Sequence, residues 1–128
     1  MSGLVVDTSV WIDFFSGRDC PALEDALAQG AVVLPPLVVA EIVSGTQRPR
    51  DREAIKALAQ DLALHPTPHE HWVRVGELRG LLRAKGVSVS TPDAHVAQCA
   101  LDLDVPLLTR DRVFTRIAEH SRLKLARD

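Results

Sequence analysis

Cysteine is scarce in this chain. Cys20 and Cys99 are the only two, and they stand too far apart for a metal-binding pair and are too few for a disulfide framework. This excludes the small disulfide-stapled folds, and both thiols are expected as small core or near-surface residues. Long apolar runs are also missing. Nothing approaches the roughly 20 residues of a membrane span, and the first residues lack the basic-then-apolar pattern of a secretory signal. The expected compartment is therefore the cytoplasm, with no membrane contact. Charge of one sign is not in excess either. Fifteen Lys and Arg against 17 Asp and Glu give a formal net charge of −2, which argues against indiscriminate electrostatic binding to nucleic acid. Internal repeats and low-complexity segments are absent as well.

What remains is ordinary globular composition, 46% hydrophobic and 25% charged, over 128 residues. That length suits a single domain, residues 1–128, with a real core. Short apolar runs at Gly3 to Val6, Ala31 to Leu34 and Val105 to Thr109 read as buried strands, with weaker ones at Leu62 to Pro66 and Leu123 to Leu125. Helical patterns separate them. Strands alternating with helices imply an α/β fold, a short parallel sheet of four to five strands flanked by helices on both faces.

Several acids stand where a simple core would not place them. Asp7 follows the first strand directly, at the edge of a parallel sheet where ligands bind, and Thr8 or Ser9 fits the N-cap of the next helix. Glu41 is the single charge in a helix starting at Pro35-Pro36, whose Leu37, Val38, Val39, Ile42 and Val43 are apolar nearly all round. Such a helix is expected to be buried on most faces, with Glu41 turned into a polar pocket. Asp93 falls in a first helical turn, with Thr91 as N-cap and Pro92 at the first position; there an acid also simply complements the helix dipole. Asp111 closes the strand from Val105 to Thr109, which like the first ends in a hydroxyl and an acid, Thr109-Arg110-Asp111.

Asp7 and Asp111 should project from the same edge of the sheet, and Glu41 and Asp93 lie on helices beginning just beyond it. Four carboxylates in one cleft repel one another unless cations neutralise them. An all-oxygen donor set suits Mg²⁺ or Mn²⁺, and the chemistry it supports is metal-assisted phosphodiester hydrolysis. With four acids neutralised, the formal charge of −2 becomes +2. Thr8, Ser9 and Thr109 are placed to hydrogen-bond the acids, and Arg110 and Arg112 to meet phosphate. His69-Glu70-His71 offers two imidazoles but no third ligand nearby, and Pro68 marks a helix start there. His95 is expected to pack or cap, without a companion. Asp13 is expected in solvent.

Four segments together resemble the acidic motifs of the PIN-domain ribonucleases. They are Val5-Val6-Asp7-Thr8-Ser9-Val10-Trp11, Val39-Ala40-Glu41-Ile42-Val43-Ser44-Gly45, Pro92-Asp93-Ala94-His95-Val96-Ala97 and Leu108-Thr109-Arg110-Asp111-Arg112-Val113-Phe114. The small size and motif order are similar to the VapC-type toxins of bacterial toxin–antitoxin pairs. The resemblance implies a PIN-like α/β/α sandwich and an endoribonuclease dependent on Mg²⁺ or Mn²⁺. It also implies a homodimer, neutralised by a small VapB-like antitoxin through which alone operator DNA is reached. Asp7, Glu41, Asp93 and Asp111 map onto the family's metal-binding and catalytic acids. Two positions depart from the pattern: Val113 stands where many members carry a further acid, and His95 where an apolar residue is commoner. A haloacid-dehalogenase-like phosphatase would need a second acid where Ser9 stands. The other readings left open are a PIN fold that binds RNA or protein without cleaving it, and a housekeeping RNA-processing nuclease.

Overall fold

The computed structural model describes residues 3–128. The first apolar run forms strand β1 (Leu4–Val6), followed by helices α1 (Thr8–Phe15) and α2 (Pro21–Ala28), strand β2 (Val32–Leu34), and helices α3 (Pro36–Gly45) and α4 (Pro49–Asp61). Strand β3 (Ala63–Leu64) leads to a helix pair, α5 (His69–Ala84) and α6 (Thr91–Leu103), and strand β4 (Leu107–Leu108) to helix α7 (Val113–Glu119). The four strands lie in the order β3-β2-β1-β4 and every pairing is parallel. β1 is central. Val5 pairs with Val33 on one side and Leu107 on the other, and Val5 and Val6 are fully buried, as a strand covered on both faces requires. The seven helices flank the sheet as an α/β/α sandwich. None of them is long and apolar enough to cross a membrane.

The expected fifth strand at Leu123 to Leu125 shrinks to one parallel bridge between Leu125 and Leu107. Its neighbour β4 is only two residues long, and Pro106 beside it has no N–H to extend a ladder. At the opposite edge, β3 is exposed, and Pro66 and Pro68 end it before it can template further pairing.

The helix carrying Glu41 differs from expectation. In α3 only Val38 and Ile42 are fully buried, so the helix offers one narrow face to the core rather than most of its circumference. The helix buried all round is α6, whose residues Ala94 to Ala100 are buried without a break. Four of those seven are Ala or Cys, small enough for α5, α3, β1 and α7 to close around them. Helix starts also shift. Asp7 rather than Thr8 or Ser9 precedes α1, and Ser90 rather than Thr91 caps α6, its hydroxyl accepting from the Asp93 N–H at 3.2 Å.

Candidate active site

Because the strands are parallel, whatever follows β1 and β4 emerges at one edge. The Asp7 N–H donates to the Leu108 carbonyl at 2.9 Å, which sets the two strand ends side by side. Asp7 is buried, only 6% exposed, and its side chain does not cap α1 because two hydroxyls already claim it. Ser9 Oγ and Thr109 Oγ1 both donate to Asp7 Oδ2, each at 2.9 Å. Oδ1 receives no hydrogen bond from the described residues, which leaves that oxygen for a ligand.

The same two hydroxyls also accept. Ser9 Oγ takes the Arg110 N–H at 3.1 Å and Thr109 Oγ1 the Asp111 N–H at 3.0 Å, so they tie the start of α1 to the turn after β4. Asp111 lies in that turn, exposed, with Oδ1 accepting from the Val113 N–H at 3.0 Å. Val113 itself is half-buried against the core, so the position where many relatives carry an acid here serves packing. Glu41 is exposed rather than enclosed in a pocket, because α3 turns only its Val38 and Ile42 face inward. Thr8 Oγ1 reaches across from α1 and donates to Glu41 Oε1 at 2.8 Å. Each predicted hydroxyl therefore touches a predicted acid.

Asp93 completes the group, half-buried in the first turn of α6. Its pKa is raised above the usual carboxylate range. Burial is the largest cause, the Ser90 hydroxyl opposes it, and the charges of Asp111, Asp7 and Glu41 add to it. All four acids are therefore close enough for the other three to act on the protonation of the fourth. The surroundings favour a cation: a set of carboxylate oxygens, mutual repulsion expressed on Asp93, and an Asp7 oxygen left free. If Thr109 positions Asp7, Thr109→Val should lower divalent-cation affinity by about 10- to 100-fold, the usual cost of losing an outer partner of a metal ligand. Calorimetric titration with Mn²⁺ gives the check, and an unchanged affinity would reduce Thr109 to a turn-forming residue.

Arg110, expected to meet phosphate, is engaged elsewhere. Its guanidinium reaches Asp13 at 2.5 Å and also binds Asp128, with Cys20 Sγ at 3.4 Å. Asp13 is thus an ion-pair partner, not the solvated residue the helix pattern suggested. A pairing of residues 97 apart leaves no periodic trace in the sequence. Arg112 is exposed and forms no ion pair among the described residues.

Among solved structures, the chain is similar to several toxin–antitoxin proteins. With VapBC2 from Rickettsia felis, bound to a DNA fragment from its promoter, it shares 18% identity over 96% of each chain at a TM-score of 0.77. With DNA-bound VapBC from Salmonella typhimurium it shares 16% identity over 98% of each chain, also at 0.77. With VapBC-5 from Mycobacterium tuberculosis the identity is 22% over 100% of both chains, at 0.72. No curated protein sequence matches the chain. The family model described as PIN domain matches residues 4–120, from β1 to just beyond α7 and across all four acids, and the chain belongs to the PIN domain family.

Proposed function

We propose that this chain is a divalent-cation-dependent endoribonuclease of the VapC toxin type, acting in the cytoplasm and neutralised by a small VapB-like antitoxin. The observation that carries the reading is the mutual placement of Asp7, Glu41, Asp93 and Asp111, expressed in the raised pKa of Asp93. These four residues would hold Mg²⁺ or Mn²⁺. Such a cation, when bound, supplies Lewis-acid activation of water and neutralises charge on the phosphodiester. The chain's own contribution is positioning. Ser9 and Thr109 fix one oxygen of Asp7 and leave the other free, Thr8 steadies Glu41, and the Val113 N–H orients Asp111.

The toxin assignment and the antitoxin rest on likeness to the VapBC structures, with operator DNA reached only through the antitoxin. A homodimer belongs to the same proposal. Large apolar side chains left exposed, including Val73 and Leu81 on α5, supply surface for a second copy, and sedimentation of the purified chain tests it.

The decisive experiment is incubation of a structured RNA pool with the purified full chain, with Mg²⁺ or Mn²⁺ and in EDTA. Cleavage that needs the cation is the expected result. Tight RNA binding with no cleavage under any condition would replace the proposal with a non-cleaving binding module. RNA contact should also depend on Arg112. Arg112→Gln is expected to reduce the salt slope of RNA binding by about one, as loss of a phosphate contact does, while Arg110→Gln leaves it unchanged. The opposite pattern would mean that Arg110 leaves Asp13 and Asp128 to meet RNA.

A further inference from the structure

Sequence order separates four residues that the fold gathers outside the acidic cleft. His65 follows β3, His71 lies in the first turns of α5, and His95 and Cys99 stand one turn apart on α6; all four are buried. The reading of His95 as lacking a companion, and of His71 as lacking a third ligand, does not survive the packing of α5 on α6. One ligand atom each from His65, His71 and Cys99 lie within 4.8 Å of one another. His71 Nε2 is 2.8 Å from His95 Nδ1, and Cys99 Sγ is 3.9 Å from the same His95 nitrogen. Trp72 stacks flat on the His95 ring at 4.7 Å and helps cover the group.

Hydrogen bonding alone does not account for this cluster. His71 Nδ1 shares a hydrogen bond with Asp102 Oδ2 at 2.8 Å, and His71 Nε2 shares another with His95 Nδ1 at 2.8 Å, so three of these four ring and carboxylate groups satisfy one another. His65 is left out. It is 5% exposed, both its ring nitrogens are buried without a hydrogen-bond partner among the described residues, and Oδ2 of Asp102 is 3.7 Å away. Desolvation lowers the pKa of His65, which keeps the ring neutral and its bare nitrogen available. A buried polar atom without a partner is costly to the fold. A metal ion would relieve that cost. The His71–Asp102 bond is also the contact that orients metal-binding imidazoles in carboxylate–histidine–zinc triads.

We propose that His65, His71 and Cys99, with His95 as the fourth ligand, form a closed Zn²⁺ site that staples the loop after β3 to the α5–α6 pair. Three imidazoles and one thiolate suit a tetrahedral ion of intermediate softness, whose ligand atoms stand about 3.3–3.8 Å apart, so adjustments of about 1 Å bring the His65, His71 and Cys99 atoms into range, and His95 Nδ1, 3.9 Å from Cys99 Sγ, joins them once its contact with His71 opens. Burial raises the Cys99 thiol far above its ordinary pKa, so deprotonation there would come with the metal and release a proton. The site differs in donor chemistry from the four carboxylates. His95 is two residues from Asp93, roughly 200° round the helix, and so faces away from the acidic cleft.

The test uses the full chain carrying Asp7→Asn and Asp93→Asn, which cripples the carboxylate site, loaded with Co²⁺ as a spectroscopic stand-in for Zn²⁺. The expected result is one equivalent of retained metal, a thiolate-to-cobalt charge-transfer band, and a higher melting temperature than in EDTA. Cys99→Ala should abolish the band, and His65→Gln should weaken retention at least tenfold, with circular dichroism unchanged. Absence of retained cobalt, or retention with no thiolate band, overturns the proposal even if either ligand variant misfolds. Because the acidic site is disabled throughout, failure of the nuclease reading leaves this result untouched.

Discussion

Asp7→Asn should reduce cation-dependent RNA cleavage by about 10²- to 10³-fold, the scale on which loss of one preorganised electrostatic partner acts. The substitution keeps the shape of the side chain. Its amide oxygen can still accept from Ser9 and Thr109, whose hydroxyls now meet Asp7 Oδ2 at 2.9 Å, so the link between β1 and the turn after β4 persists. What disappears is a negative charge that Asp93 already feels. The metal-free variant should therefore melt no lower than the parent, because one of four mutually repelling carboxylates has gone. Cleavage assays across Mn²⁺ concentrations, paired with melting in EDTA, separate the two effects. A parental cleavage rate would remove Asp7 from the site. A large fall in melting temperature would make Asp7 a structural residue first.

The architecture was legible because the strands are short, fully apolar and punctuated. Leu4 to Val6 and Val32 to Leu34 have no amphipathic alternative, and the helices between them force parallel pairing. The acids at strand ends were legible for the same reason: a carboxylate directly after a buried run has to leave the core at a defined edge. The surroundings of Glu41 were not. Apolar residues round a ten-residue helix do not reveal how much of it the sheet covers, and α3 meets the core on one face only.

The side-chain networks were least legible. Arg110 with Asp13 and Asp128, and His71 with His95, are contacts between distant segments. Their partners are set by how helices lie on the sheet, and no local propensity encodes that. The local signs near the histidines were the paired imidazoles of His69-Glu70-His71 and a His in place of an apolar residue within a helix otherwise small and buried.

The largest expected loss of stability lies in the anion serving that network. Asp102 Oδ1 accepts from Arg74 Nε and Gln98 Nε2, and Oδ2 from Arg74 Nη2 and His71 Nδ1, all between 2.8 and 2.9 Å. The carboxylate thereby joins α5 to α6. Burial alone would raise its pKa, but the donors from Arg74, His71 and Gln98 outweigh that and hold it well below the usual range. Asp102→Asn turns one acceptor into a donor facing donors, and should cost about 3 kcal/mol, the upper end for hydrogen bonds to a charged group, because Asp102 is half-buried although Arg74 is exposed. In melting temperature that is a fall of roughly 10 °C.

The pH dependence follows from the sign of the shift. A carboxylate with a depressed folded-state pKa stabilises fully above its unfolded value and loses that contribution only as pH falls through the folded one. Measured in EDTA, the gap between parent and variant should stay constant from pH 8 to 5 and close only in strong acid. Closure already near pH 6 would assign the stabilisation to histidine protonation instead. Asp104, exposed and with Lys124 at 3.5 Å as its one ion-pair partner among the described residues, provides the control. Its backbone is left-handed, φ 52°, which Asn tolerates, so Asp104→Asn should change stability by less than about 1 kcal/mol. Equal losses at Asp102 and Asp104 would show that the end of α6, and not the convergence of donors on one half-buried carboxylate, sets the effect.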